Sequence, residues 1–193
     1  MDLAIGIFGG TFDPIHNGHI ELAGAVLKKL NLEKIYFVVA NDPWQKSENF
    51  SVTDPLVRLE MVEGAIEKYP KFEASNIEIV RGGPSYTIET VREFKELFPG
   101  YIIYLLLGSD AAKDILTWEK VEGLKREVKL AVVTRKNYES YDDFFGFDYI
   151  QVVADTPDIS STLVREKILS GQSIEKDVPE STMRAITKYT LYH

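Results

Sequence analysis

The chain has no cysteine among its 193 residues. That excludes disulfides, thiolate metal sites and a cysteine nucleophile, and it fits a reducing compartment. Positive charge is also short: 22 lysines and arginines stand against 30 acids, for a net charge of −8. An acidic surface is a poor platform for nonspecific phosphate-backbone binding, so nucleic acid is not expected as a partner. Long apolar runs are missing as well. The longest is Tyr101–Leu107, far too short to cross a bilayer, so no membrane partner is expected. The first residues, MDLAIGIFGG, carry an acid where a signal peptide would carry basic residues, and they run straight into a strand-like segment. We therefore expect a cytoplasmic protein. Should its ligands be anions, the positive charge must be supplied locally, and each of the three histidines becomes informative.

What is present is a sizeable core in waiting. Hydrophobic residues make up 45%, enough for a globular domain. Strand-like and helix-like segments alternate. Leu3–Phe8 reads as a strand, Gly18–Leu30 as a helix, Lys34–Ala40 as a strand and Asp54–Tyr69 as a helix. Phe72–Val80 reads as a strand, and Thr87–Leu97 as a helix stopped by Pro99-Gly100. Tyr101–Leu107 follows as a strand, Ser109–Arg126 as mostly helix, and Val128–Thr134 as a strand. Near-continuous apolar strands such as YIIYLLL suit a parallel sheet buried on both faces. The expected fold is therefore α/β: a doubly wound, mainly parallel sheet with right-handed crossovers. A small helical part follows. Ser160–Leu169 is closed by Gly171, and a helix runs to about Leu191 from an expected start at Asp177-Val-Pro-Glu180. With no repeat or clear linker, residues 1–193 read as a single domain.

Directly after the first strand comes Gly9-Gly10-Thr11-Phe12-Asp13-Pro14-Ile15-His16-Asn17-Gly18-His19. It matches neither GxxxxGK[ST] nor GxGxxG. Its logic is related: glycines let a backbone approach a ligand, and a helix start favours an anion. His16 and His19, three apart, can face the same anion. Far along the chain, Ile159-Ser160-Ser161-Thr162-Leu163-Val164-Arg165 combines hydroxyls able to cap a helix with an arginine one turn on, whose fork suits phosphate oxygens. Alone, a histidine pair is weak evidence, and the second segment could be a plain cap with a surface arginine.

Together they are specific. The first string resembles the GxFDPxHxGH signature of the nucleotidylyltransferase superfamily, and ISSTLVR resembles that superfamily's second signature, ISSTxxR, in the same order. The resemblance implies a Rossmann-like nucleotidylyltransferase fold and transfer of AMP from ATP. His16, His19 and Arg165 would be the catalytic residues. Gly9, Gly10, Thr11, Phe12, Gly18, Gly108, Asp110, Ser160, Ser161 and Thr162 would bind ATP. Magnesium would be held mainly by substrate phosphates, with Asp110 as the candidate protein ligand.

The middle of the chain bears on the acceptor. Arg81-Gly82-Gly83-Pro84-Ser85-Tyr86-Thr87-Ile88, Gly108-Ser109-Asp110, Trp118 and Thr134-Arg135 resemble the corresponding segments of bacterial nicotinate-mononucleotide adenylyltransferases. By that resemblance Lys46, Ser85, Tyr86, Thr87, Trp118, Glu119 and Arg135 would bind nicotinate mononucleotide. Trp118 would stack on the pyridine ring, and Lys46 would sit near the phosphates. Two departures stand out: Pro43-Trp44-Gln45-Lys46 replaces the Pro-His-Lys of many relatives, and Gly-Ser-Asp replaces Gly-Ala-Asp. Phosphopantetheine or nicotinamide mononucleotide as acceptor, and a catalytically silent nucleotide-binding regulator, are the alternatives. Tyr138–Tyr149 carries six aromatics in twelve residues, a core lid or a subunit contact in a homo-oligomer.

Overall fold

The computed structural model describes residues 3–43, 52–134 and 146–193, apart from the Asp110 side chain. Its strands are β1 (Ala4–Gly10), β2 (Lys34–Val39), β3 (Phe72–Ser75), β4 (Ile102–Gly108), β5 (Lys129–Thr134) and β6 (Tyr149–Val153). Its α-helices are α1 (Asn17–Leu30), α2 (Pro55–Ile66), α3 (Ile77–Arg81), α4 (Thr87–Leu97), α5 (Ser109–Lys113), α6 (Val121–Glu127), α7 (Ser161–Leu169) and α8 (Glu180–Lys188). The six strands form one parallel sheet in the order β3-β2-β1-β4-β5-β6, with Ile5 opposite Ile103, Leu105 opposite Leu130 and Val132 opposite Gln151. Strand order reverses at β1 and β4. In sheets of this kind ligands bind beyond the carboxyl ends of the strands at that reversal. The histidine motif leaves the carboxyl end of β1, and Gly108-Ser109-Asp110 leaves that of β4. The doubly wound parallel fold expected from the alternation is the one observed.

The residues divide into two compact units. One comprises Met1–Gly9, Leu22–Tyr36 and Tyr86–Thr156. Its core is built on β4 and β5, where Leu105, Leu106, Leu130, Ala131 and Val132 are all at most 1% exposed. Burial on both faces is the reason those runs carry no alternation. At one edge of this core Tyr36, Phe94 and Phe98 form an aromatic cluster, with ring centroids 5.0–6.0 Å apart. The other unit comprises Gly10–Glu21, Phe37–Ser85 and Pro157–His193. Here α2 packs on α8, burying Met61, Val62, Ala65, Ala185 and Ile186. The helices approach closely at Gly64, where a Cβ would lie 2.9 Å from that of Ser181.

Helix ends obey local chemistry. Asp54 caps α2 through Leu56 N–H (2.8 Å), with Pro55 in the first turn. The α4 stop is a turn in which Tyr101 N–H reaches Phe98 O (3.2 Å) across Pro99 and Gly100, with Gly100 at φ +84. Three helices close with the paired 6→1 and 5→2 hydrogen bonds, or the 6→1 bond, of a left-handed terminus. Gly171 ends α7 as expected, Asn31 ends α1, and Thr190 ends α8 at φ +50. A β-branched residue in that conformation is strained. Thr190→Gly should therefore stabilise the fold by about 1 kcal/mol, raising the thermal midpoint by about 2–4 °C. A lower midpoint would mean that the Thr190 side chain is needed where it stands.

Several expected elements differ. Phe72–Val80 is not one strand: β3 stops at Ser75, and α3 follows with Ser75 Oγ accepting from Ile77 N–H (3.4 Å). The period-2 look of Ile77-Glu78-Ile79 is misleading, because Glu78 pairs with Arg81 at helical spacing (3.8 Å). Ser109–Arg126 is broken into α5, a 3₁₀ turn (Ile115–Thr117) and α6, with Lys120 left-handed at φ +52. The α8 helix begins at Glu180 after Pro179 and ends at Lys188. Asp177 is not its cap; its carboxylate pairs with Lys167 (2.6 Å) instead. The strand β6 has no counterpart in the expected elements. Among the described residues no helix is long and apolar enough to cross a membrane.

Candidate active site

The histidine turn is shaped from below by Phe12, which adopts φ +50 and buries its ring to 2% exposure against Phe37 and the edge of His19. That ring lies over Gly10, where a Cβ would meet it at 2.8 Å. Gly10 is thus dictated by packing. A Cβ at Gly9 or Gly108 would meet the described residues differently: nothing lies within 4 Å of the first, and the nearest atom to the second is a Leu22 methyl at 3.9 Å. At Gly18 a Cβ would lie 3.0 Å from Ile159 and 3.1 Å from the His16 ring. Gly18 therefore admits the residue that leads into the second motif.

His16 and His19 are brought together with their rings stacked, centroids 3.6 Å apart and planes 24° from parallel. His16 N–H donates to His19 Nδ1 (3.2 Å), and His19 N–H donates to His16 O (3.0 Å). A ring nitrogen that accepts a backbone N–H carries no proton, so the His19 proton is on Nε2, at the outer end of the ring. His16 is 6% exposed, whereas His19 is half-buried. The outer position belongs to His19. The start of α1 offers less than a bare helix terminus, since Asn17 N–H already donates to Asp177 O (2.9 Å).

The second motif is fastened to the first, about 150 residues away in sequence. Ser160 Oγ caps α7 by accepting from Leu163 N–H (3.1 Å), and Ser161 Oγ donates to Pro14 O (2.9 Å). Arg165 donates to Asp13 O (2.7 Å) and to Thr162 Oγ1 (3.3 Å). Of the hydroxyls expected to meet phosphate, that of Ser161 joins the two motifs, that of Ser160 caps α7, and that of Thr162 accepts from the half-buried guanidinium. Binding a phosphate there would use the remaining guanidinium N–H groups and the α7 amides.

Sequence reasoning missed the residues that brace this turn. Arg58 on α2 is fully buried and spans three loops, donating to Thr11 O (2.7 Å), Thr53 O (2.7 Å) and Asn41 O (3.4 Å). Burial lowers its pKa, and the nearby Asp13 opposes that shift; the guanidinium stays charged. Asp13 is 7% exposed and accepts from Thr53 N–H (3.2 Å) and from the Tyr192 hydroxyl. An arginine in the first turns of a helix, between Val57 and Leu59, carries no sequence signal of its own.

The segment expected to meet the acceptor is partly described. Gly82 and Gly83 sit at φ +72 and +71, which explains the glycine pair. They carry Ser85 back to the loop after β2: Ser85 N–H donates to Asp42 O (3.0 Å), Asp42 N–H to Ser85 Oγ (3.2 Å), and Asn41 Nδ2 to Gly83 O (2.9 Å). The Ser85 hydroxyl therefore orders a loop. In the other unit Tyr86 precedes α4 with no side-chain cap, Thr87 is the first helical residue, and Glu119 is exposed. Trp118 is half-buried, with its indole N–H lacking a hydrogen-bond partner among the described residues. Lys46, Arg135, the Asp110 side chain and Tyr138–Phe145 lie outside the described residues.

A six-stranded sheet in the order 3-2-1-4-5-6, with a glycine–histidine turn after β1 tied to a serine–arginine helix, defines a nucleotidylyltransferase. A family model described as cytidylyltransferase-like matches residues 7–167, and the chain belongs to that family. Among its members it falls with the nicotinate-nucleotide adenylyltransferases. The probable nicotinate-nucleotide adenylyltransferase of Clostridium tetani is 38% identical, over 96% of this chain and 97% of its own length. One from Thermus thermophilus is 36% identical over 98% and 100%. Among solved structures, the nicotinic acid mononucleotide adenylyltransferase of Plasmodium falciparum, complexed with NaAD, superposes with a TM-score of 0.82. It is 26% identical and covers 98% of this chain and 97% of its own.

Proposed function

We propose that this chain transfers AMP from ATP to nicotinate mononucleotide, giving nicotinate adenine dinucleotide and pyrophosphate in NAD biosynthesis. One observation carries the reading: Ser161 and Arg165 fasten the second motif to the carbonyls of Pro14 and Asp13, beside the stacked histidines. The names of the full-length relatives support the acceptor.

An acceptor phosphate oxygen attacks the α-phosphorus. The bond from that phosphorus to the bridging oxygen breaks, and pyrophosphate leaves with the electron pair. The nucleophile is already an anion at neutral pH, so no activated serine or general base is required. The protein's work is alignment and charge stabilisation. We assign His19 Nε2–H to the α-phosphate, His16 to holding the His19 ring, and Arg165 with the α7 amides to the departing β,γ portion. Gly9, with nothing within 4 Å of its Cβ position among the described residues, and Gly108, whose Cβ would meet a Leu22 methyl at 3.9 Å, suit a nucleotide lying close to the backbone. Phe12, Gly10 and Gly18 serve that surface by packing. The acceptor ring is assigned to Trp118, its carboxylate to amides near Thr87 and Glu119, and its phosphate to Lys46. Ser85 and Tyr86 lead into that segment, and Arg135, next after Thr134 in sequence, is assigned to the acceptor as well.

Magnesium is the implied cation. Imidazoles, a guanidinium and amides are donors matched to phosphate, whereas magnesium takes oxygen ligands. These residues fit the anion, so the cation would enter with ATP and offset charge on its phosphates. Asp110 is the carboxylate we assign to the ribose hydroxyls or to that ion. ATP as substrate fits a protein of the cytoplasm.

The test is one panel: ATP and magnesium with nicotinate mononucleotide, nicotinamide mononucleotide or phosphopantetheine, reading pyrophosphate and dinucleotide. Donors placed for a carboxylate are left partly unpaired by an amide, so nicotinate should be favoured by about tenfold for each 1.4 kcal/mol of lost pairing. Equal use of the two pyridine nucleotides would refute the carboxylate assignment. Pyrophosphate release with none of the three would refute the activity.

A further inference from the structure

Tyr192 follows α8, far from both motifs in sequence, yet its hydroxyl donates to the buried carboxylate of Asp13 inside the histidine turn. The hydroxyl also lies 3.5 Å from Thr53 Oγ1, and Thr53 N–H donates to the other Asp13 oxygen. Asp13 thus carries three duties. Its side chain takes Tyr192 and Thr53, and its carbonyl takes Arg165 of the second motif. Three residues further on, His16 N–H sets the tautomer of His19. Burial and the Asp13 carboxylate hold the Tyr192 phenol far above its ordinary pKa, so it remains a donor throughout the working range. The backbone is held at some cost to deliver this side chain, with Thr190 at φ +50 and Tyr192 at φ +64.

We propose that Tyr192 is a positioning residue for adenylyl transfer. It acts through Asp13 to fix the turn that aims His19, and it does not touch substrate. The proposal rests on the activity proposed above. The same segment supplies an internal control, since Tyr189 also donates to a carboxylate, Glu60 (2.6 Å), but on the surface between α2 and α8.

The experiment compares Tyr192→Phe with Tyr189→Phe in the full chain. Tyr192→Phe should lower kcat by about ten- to a hundredfold, the scale of a small misplacement at a reacting centre. The KM values should stay within about threefold, and Tyr189→Phe should match wild type on both. In a His19→Ala background Tyr192→Phe should cost nothing more, because the two act through one group. A merely structural Tyr192 would lower the thermal midpoint and leave kcat per folded molecule unchanged. That outcome, or a full additional loss in the His19→Ala background, overturns the proposal. A second readout needs no turnover. The chain has three histidines, so its imidazole ¹⁵N spectrum is simple. Wild type should show His19 as the Nε2–H tautomer, and Tyr192→Phe should move that signal toward tautomer exchange. An unmoved His19 signal overturns the proposal even if wild type proves inactive on nicotinate mononucleotide, which would refute the activity alone. Should Tyr192→Phe fail to fold, Asp13→Asn becomes the deciding variant: it exchanges one of the two accepting oxygens for an amide NH2, removes the charge and should produce the same fall in kcat, and an unchanged kcat overturns the proposal.

Discussion

His19→Ala should cut kcat by about 10²–10³, the scale for removing one preorganised donor from a developing charge, with acceptor KM little changed. The expectation rests on how the ring is held. Its inner nitrogen is occupied by His16 N–H, its face is covered by His16, and its edge meets Phe12. The Nε2–H is therefore aimed before substrate arrives and costs no reorganisation when charge builds at the α-phosphorus. His16→Ala should do less, about tenfold, because His16 orients the donor; its backbone N–H survives the substitution while the stacking is lost. Single-turnover kinetics with saturating ATP and nicotinate mononucleotide separates the two. Equal, modest losses at His19 and at an exposed lysine would remove His19 from the chemistry.

How much of this is legible in the sequence follows the range of the interactions. The two signatures sit within runs of about ten residues, and each is legible because its residues are contiguous and the pair resembles one superfamily. Strands β4 and β5 are legible because burial on both faces leaves only apolar residues. The break of Ser109–Arg126 at Trp118 is not, because Lys120 is left-handed without being glycine or asparagine. The strand β6 escapes because a five-residue run with Gln151 at its centre looks like loop until β5 supplies its partner. The roles of Gly10 and Gly18 are half-legible. Glycine signals close approach, but what approaches is Phe12 in one case and Ile159 with His16 in the other. Arg58 and Tyr192 are invisible, since their partners lie up to 47 and 179 residues away and are loop carbonyls and one aspartate.

Arg58→Met should destabilise the fold by about 3–5 kcal/mol, the usual result of deleting one partner from a buried charged network. The apolar stem is retained, so little packing is lost. What disappears is the fork that satisfies Thr11 O, Asn41 O and Thr53 O, each worth about 1–3 kcal/mol if left buried and unpaired. The gross cost is partly offset because the guanidinium no longer has to be desolvated. Asp13 loses a neighbouring buried cation at the same time. Against a total stability of about 5–15 kcal/mol for a domain, such a loss takes a large share. Arg58→Lys should recover only part of it, because an ammonium is a compact charge that cannot reach three carbonyls in the directions a planar fork does. Urea unfolding with a shared slope measures both variants. The folded fraction of Arg58→Lys should also show a lowered kcat, since Thr11 is the first residue of the turn that carries the histidines. A methionine variant within about 1 kcal/mol of wild type, with full turnover, would mean that water can replace the guanidinium and that the three loops hold their places without it.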